Sequence, residues 1–498
     1  MSSNEGIIVL TTREKEWWLS LQEIIPAIER VWDLIGRSER QTVSTFCVPL
    51  PPAMEERLRA RAARVERVVL TTVTPGTVKA ALSLRAEAEE PAPMTLYVHG
   101  DGPEGFEAFG ALVDALTERD TFVVTCEAEA ATVRACLPNA RIEQIPFPLV
   151  DLFKVNSRKR RPEGEVTRLA YVGRVSEQKN LHTLLFALWL MRDSAAGAPP
   201  VTLDVYGGED NLGSPNMGLK NSDYGTFLRE LAETLGLADV VTWHGPQPRD
   251  WVFYDVHQEP HVLVSPTVHS DENFGSSVLA SLVNGHQVVT TSWGGHRGFQ
   301  EWFPEQLTLV PVHRSALGPV VHPAALAEAL TAAVRRSTTV VDEAALDRGR
   351  AAFSERAVAE RTLDMLGRPD RAPVPLEKSP VQADIDERRV RFGGARKIYA
   401  DYADPIARIF FEAYGMDEPL SFDAGADYVL SPWVSCSDGF VGVADPHRGH
   451  RSFPVAADAS TPCDVLMVPS LKTRPLPEGL VRELVDLGYA FSIRALSR

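Results

Sequence analysis

Short apolar runs alternate with amphipathic, helix-period stretches almost without a break from Ile7 to Val310. Such alternation predicts parallel strands joined by right-handed helical crossovers, and so an α/β architecture. The first series of expected strands is Ile7–Leu10, Thr42–Val48, Arg67–Thr72, Met94–His99, Thr121–Thr125 and Arg141–Ile145. The second lies near 168–172, 201–206, 240–243, 262–264, 287–291 and 307–310. Between them the polar, basic stretch Asn156-Ser-Arg-Lys-Arg-Arg161-Pro-Glu-Gly reads as a solvated hinge. Two Rossmann-like halves are the expected result. Thr11-Thr-Arg-Glu-Lys follows the first strand, so the Gly-rich dinucleotide fingerprint is absent there.

With 498 residues, the chain has room for two or three domains. A formal net charge of −16 argues against nucleic acid as the main partner and against broad adhesion to anionic membranes. Cys47, Cys126, Cys136, Cys436 and Cys463 are scattered, odd in number and form no CxxC, which fits a reduced, cytoplasmic setting. The opening Met-Ser-Ser-Asn-Glu-Gly has no signal-peptide pattern, and no apolar run has the length of a membrane span.

Two segments carry the chemistry. In Tyr171-Val-Gly-Arg-Val-Ser-Glu-Gln-Lys-Asn180, a strand ends and delivers Gly173, Arg174 and Lys179. In Glu272-Asn-Phe-Gly-Ser-Ser-Val-Leu-Ala-Ser281, an acidic loop leads into a helix start. An open helix N-terminus offers unpaired N–H groups and a positive dipole end, and Arg and Lys add fixed charge. Together these suit a diphosphate. Gly275 permits close backbone approach, and Ser276 and Ser277 could either cap the helix or hydrogen-bond phosphate oxygens. The expected buried stripe is Val278, Leu279, Leu282 and Val283.

These residues resemble the retaining, nucleotide-sugar-dependent glycosyltransferases of the GT-B fold, in particular family 4. The matching features are Gly173-Arg174-x4-Lys179, Glu272-Asn-Phe274-Gly275, the following helix and strand, and Gly294-Gly295. The resemblance runs over about residues 165–300. It implies an N-terminal Rossmann-like domain (1–153) on the acceptor side and a C-terminal one (165–368) on the donor side. A long terminal helix near 343–366 would cross back to the first domain. It implies that Arg174, Lys179, Gly275, Ser276 and Ser277 hold the donor diphosphate, with Gly173, Phe274, Gly294 and Gly295 nearby. It implies that Glu272 hydrogen-bonds donor-sugar hydroxyls and supports positive charge at the anomeric carbon, with Asp271 a competitor for that role. His99 falls where the family often has a histidine facing the donor sugar; a capping or buried neutral histidine is the other reading. The sequence departs from the family at Ala280, which stands where the family has a second Glu that binds ribose.

No metal is expected. His257-Gln-Glu-Pro-His261 has metal-like spacing, but Pro260 breaks helical geometry, and His447-Arg-Gly-His450 is equally thin. A Pro-rich, charged stretch, 369–381, precedes an α/β region, 382–498, that lies outside the resemblance. Within it Asp404 is an N-cap, Pro405 the first helical residue and Gly415 the helix end. A βαβ-like finish is expected at Asp464–Val468, Leu480–Leu487 and Tyr489–Leu496. That region is expected as a separate module for acceptor, protein partner or a second copy.

Two functions follow. One is a metal-independent transferase, hexosyl or related, moving sugar from a nucleotide diphosphate donor to an unidentified acceptor (small molecule, glycan, peptide or lipid-linked) with retention. The other is a catalytically impaired scaffold or binding subunit partnering an active transferase, which Ala280 favours.

Overall fold

The computed structural model describes residues 6–13, 19–99, 112–148, 166–193, 200–209, 223–269, 272–337, 342–368, 376–391, 402, 404–437, 439–445, 449–455, 462–467 and 472–493. The first sheet holds β1 (Ile7–Thr12), β2 (Val43–Val48), β3 (Arg67–Leu70), β4 (Met94–Tyr97), β5 (Thr121–Val124) and β6 (Arg141–Gln144). All pair in parallel, in the order β2-β1-β3-β4-β5-β6. Every residue of β1 is buried, as expected of a central parallel strand covered on both faces.

The second sheet holds β7 (Thr167–Val172), β8 (Val201–Tyr206), β9 (Val241–Gly245), β10 (Val262–Ser265), β11 (Gln287–Thr291) and β12 (Leu307–Val310). It is also wholly parallel, ordered β12-β11-β10-β7-β8-β9. Counted from β7 this is the doubly wound order 3-2-1-4-5-6, and the winding reverses between β7 and β10. Open α/β sheets bind ligands outside the carboxyl ends of the strands flanking that reversal. The α/β class with two Rossmann-like sheets is therefore the one the sequence announced.

Beyond β12 the chain adds a hairpin, β13 (Val312–Ser315) with β14 (Gly318–Val321). Strands β15 (Asp427–Leu430), β16 (Val434–Ser437), β17 (Phe440–Asp445), β18 (Gly449–Pro454), β19 (Pro462–Met467), β20 (Lys472–Pro477) and β21 (Ala490–Ile493) make two further sheets. One is mixed, β20-β19-β15-β21; the other is the antiparallel meander β16-β17-β18. Tyr428, Val443, Val465, Leu484 and Tyr489 share their core. The finish is not a parallel βαβ. β21 runs antiparallel to β15, and β20 forms a hairpin with β19. A hairpin and an antiparallel edge strand carry the same apolar pattern as parallel strands, so the pattern alone could not separate them.

The chain divides into two compact units, Met1–Lys154 with Glu343–Ile398, and Val155–Asp342 with Tyr399–Arg498. This revises three boundaries. The long helix expected near 343–366 is two helices, Glu343–Ala352 and Glu355–Gly367, because the Ser354 hydroxyl accepts the Ala357 N–H (3.2 Å) and starts a second helix. These helices belong with the first unit. Glu355–Gly367 packs on Leu19–Glu39, with Arg30 Nε donating to Glu355 Oε1 at 2.7 Å. The stretch read as a linker to 381 ends earlier. Ser379 N donates to Cys136 O at 3.0 Å, and the helix Pro380–Arg391 docks on the helix Glu127–Cys136. Finally, the C-terminal region does not stand apart as a module over 382–498. Its helix Pro405–Tyr414 forms as read, with the Asp404 carboxylate accepting from Ile406 N (3.0 Å) and Gly415 left-handed at φ 101°. It then lays Phe411 and Tyr414 against Trp293 of the second sheet's unit, ring centroids 6.2 and 5.7 Å apart. An amphipathic helix hides its apolar face on whatever apolar surface is nearest, which composition of the preceding linker cannot reveal.

Candidate functional site

Residues predicted from two distant segments converge at the carboxyl ends of β7 and β10. β7 ends at Val172, and Gly173 N donates to Tyr206 O at 2.9 Å, the last bond that holds this strand end to β8. The Tyr171 hydroxyl then donates to Arg174 O at 2.6 Å. A short 3-10 turn, Glu177–Lys179, ends at left-handed Asn180 and aims Lys179 back toward the strand ends. Beyond β10, Val268 N donates to Gln178 O at 2.9 Å and ties the two segments together. Glu272 N is held by His269 O at 3.1 Å.

Lys179 Nζ and a carboxylate oxygen of Glu272 are joined in a direct ion pair, both side chains about seven-eighths covered (14% and 13% exposed). Arg174 Nη2 lies 3.1 Å from His269 Nε2. Burial would push the Glu272 carboxyl up, but Lys179, with smaller contributions from His296 and His269, holds the group well below the usual carboxylate range. Burial, with Lys179 and Arg174 alongside, pushes His269 well below its ordinary value, so its Nε2 accepts from Arg174. His296 Nε2 stands 3.8 Å from Glu272 Oε1. Burial lowers His296 to about 4 despite the neighbouring carboxylate, so at neutral pH this contact is neutral imidazole against carboxylate, not a second ion pair. His296 Nδ1 bonds the Thr290 hydroxyl at 2.6 Å, and Thr290 in turn donates to Ser265 O at 2.7 Å.

Backbone crowding explains the glycines. Gly275 is left-handed at φ 80°, and a Cβ there would lie 2.5 Å from His296 Nε2. The pair Gly294-Gly295 lies against the acidic loop: Gly295 N donates to Glu272 O (2.9 Å), and a Cβ on Gly295 would sit 1.8 Å from Asn273 O. Gly275 also begins the helix Ser276–Val283, and no side chain caps it. Ser276 and Ser277 are half-buried in its first turn and do not cap it, which leaves a helix N-terminus of the kind that suits an anion. Phe274 is buried edge-on to Phe299, centroids 5.4 Å apart, and packs the loop in place.

The helix itself is buried on every side from Val278 to Val283, not along a single stripe. Ala280 has no exposed surface. Asp271 lies outside the described residues. His99 belongs to the other unit, buried after β4, its Nε2 on the Thr71 carbonyl and its ring stacked on Phe147 at 4.9 Å. Its ring nitrogen must donate to a carbonyl, which fits the buried-histidine reading. Sequence reasoning missed His269 and His296. Both had a signal: His269 follows a strand end as Arg174 does, and His296 follows the Gly-Gly pair directly.

Comparison with known proteins bears on this same stretch. Residues 153–301 match the family described as Glycosyl transferases group 1. That segment contains Arg174, Lys179, Glu272, Gly275, the uncapped helix and Gly294-Gly295. No curated protein matches the chain. Among solved structures, the chain is similar to the pneumococcal O-GlcNAc transferase GtfA in complex with UDP and GlcNAc (13% identity, 63% of this chain and 59% of that one, TM-score 0.38). It is also similar to OtsA in its apo form (10% identity, 73% and 99%, TM-score 0.46) and to an E. coli structure described as trehalose-6-phosphate bound with UDP-2-fluoro glucose (11%, 74% and 100%, TM-score 0.46). The alignment spans a little under three fifths of the pneumococcal transferase's own length. Among the described residues no helix is long and apolar enough to cross a membrane.

Proposed function

We propose that the chain is a glycosyltransferase that moves a sugar from a nucleotide diphosphate donor to an acceptor, with retention of configuration and without a divalent metal in the chemical step. The observation that carries this reading is the Lys179–Glu272 pair with Arg174 beside it, in front of an uncapped helix N-terminus, at the winding reversal of a doubly wound sheet. In the proposed reaction the C1–O bond of the donor breaks, and the leaving diphosphate takes its electron pair. Lys179, Arg174 and the N–H groups of Ser276 and Ser277 stabilise the charge that develops there, in place before reaction and so needing no reorganisation. Glu272, kept anionic, accepts from donor-sugar hydroxyls and offsets positive charge at the anomeric carbon. The acceptor hydroxyl then forms the new bond and its proton passes to the departing phosphate oxygen. The group 1 match supports the same assignment over these residues.

A second reading, a donor-binding subunit without turnover, is favoured by Ala280, whose covered methyl can give ribose no hydrogen bond. Thermal unfolding with nucleoside diphosphates tests what both readings share, since a ligand bound only to the native state must raise Tm. No shift with any nucleoside diphosphate would exclude both.

A further inference from the structure

We propose that His257, His261 and His286 form a binding site for one zinc-type divalent transition-metal ion, at the amino-terminal edge of the second sheet. The topology brings them together. His261 directly precedes β10 and His286 directly precedes β11, and the neighbours Val262 and Gln287 are register partners in the parallel ladder. The two rings therefore lie side by side, centroids 4.0 Å apart and 22° from parallel. His257 reaches them from the 3-10 turn Asp255–Gln258, its ring 5.4 Å from His261 and 5.6 Å from His286. One nitrogen from each ring lies within 4.8 Å of the others. A tetrahedral zinc with nitrogens at about 2.0–2.1 Å places its ligand atoms about 3.4 Å apart, so small ring rotations would close the set.

Orphaned nitrogens supply the second observation. Nδ1 and Nε2 of His257 and Nε2 of His261 are buried and have no hydrogen-bond partner among the described residues. A buried polar atom left unpaired is costly and calls for an explanation, of which a bound ion is one. The other nitrogens are already oriented: His261 Nδ1 is 3.0 Å from Glu259 O, and His286 Nε2 is 3.1 Å from His257 O. Carbonyl partners of this kind fix ring orientation behind metal-ligating histidines. Burial and mutual proximity also keep His257 and His261 neutral, the form that ligates. Arg168 adds unfavourable positive charge nearby, but its guanidinium is paired with Asp204 at 2.6 Å. Three imidazole nitrogens leave a fourth position for water. The spacing of His257 and His261 alone did not make a site, because Pro260 forbids the helix that would align them; the register partner His286 supplies what the helix would have.

The site lies at the opposite strand ends from Arg174 and Glu272, so it is proposed as structural and is independent of the transferase reading. The test uses the full chain, stripped with chelator, dialysed and titrated with cobalt(II) and then zinc(II). One equivalent of cobalt with the visible absorption of a tetrahedral complex is expected, displaced by zinc, together with a Tm raised by several degrees on zinc addition. His261→Asn and His286→Gln should each abolish the absorption and the Tm rise, and His313→Gln should retain both. If those two variants do not fold, His257→Gln, on the half-exposed turn, is expected to lose the absorption while staying folded. Wild-type protein that binds no cobalt, or binds it without the tetrahedral spectrum, overturns the proposal. So does a spectrum that survives loss of any of the three histidines.

Discussion

Lys179 and Glu272, ninety-three positions apart in sequence, form a direct ion pair at the mouth of the second sheet. The family resemblance implies that each meets a different part of one donor, the diphosphate and the sugar. Their contact means that each holds the other in place before any ligand arrives. It also helps, with His296 and His269 nearby, to hold the buried Glu272 carboxyl well below the usual carboxylate range.

Replacing Arg174 or Lys179 by Ala should weaken binding of a nucleoside diphosphate far more than binding of the parent nucleoside. Loss of a hydrogen bond to a charged group costs about 1.5–3 kcal/mol, or roughly 10- to 150-fold in affinity. Calorimetric titration of both ligands into each variant gives the comparison. Equal losses for the two ligands would remove these residues from the diphosphate site.

Gly275→Ala should destabilise the protein by about 1–2 kcal/mol from backbone strain alone, with the clash against His296 added to it. Gly298→Ala, where a Cβ meets nothing within 4 Å, is the control. Denaturant midpoints for the pair measure the difference. Indistinguishable midpoints would contradict the crowding described at Gly275.

The C-terminal region should prove indispensable to the unit that holds the second sheet. A chain ending before Asp404 exposes Trp293 and the Gly294 turn, against which Tyr414 packs. It is expected to be insoluble or to lose its nucleotide-induced Tm shift. Tyr414→Ala in the full chain should cost about 3–5 kcal/mol, as large aromatic truncations in cores do. A soluble truncation with undiminished nucleotide response would restore the modular reading.

Acid should destabilise the fold before its carboxylates titrate. Burial lowers His296 and His322 from 6.5 to about 4. Between those values the unfolded chain binds more protons than the folded one, so stability falls as pH drops through the window. A depression of that size corresponds to about 3 kcal/mol per histidine when fully developed. The His322 ring accepts the Ala324 N–H at 3.2 Å and begins a helix, which protonation would forbid. His322→Asn, which can still cap, should flatten the acid limb of a Tm-versus-pH curve; an unchanged limb would mean that His322 does not titrate in this way.

Brief chelation should leave turnover intact, neither dependent on magnesium nor raised by manganese, because in the proposed reaction Arg174 and Lys179 supply the positive charge. At the three-histidine site the same chelation removes the metal and lowers Tm. Activity abolished by chelator and recovered with magnesium would overturn the metal-independent chemistry.

Much of this was legible in the sequence because its determinants are local. Strand ends deliver Gly173-Arg174 and Glu272, and alternation of period announced all twelve parallel strands. The cap at Asp404 and the stop at Gly415 were equally visible, since capping is short-range chemistry. What stayed hidden depends on tertiary neighbours. Ala280 and Ser281 carry no sign in sequence that the whole helix is enclosed. The third histidine, His286, is brought to His261 only by strand register. The docking of Phe411 and Tyr414 on Trp293 joins segments more than a hundred residues apart.

The most direct test of the central claim is release of nucleoside diphosphate from a panel of nucleotide diphosphate sugars, by wild type and by Glu272→Gln at matched concentration. The account predicts that wild type turns over at least one donor without added metal. It predicts that the Gln variant still shows a Tm shift with the nucleoside diphosphate while its turnover falls at least about 100-fold, the scale of losing one transition-state charge contact. A wild type that binds nucleoside diphosphate yet releases none from any donor, or a Gln variant as fast as wild type, would contradict it.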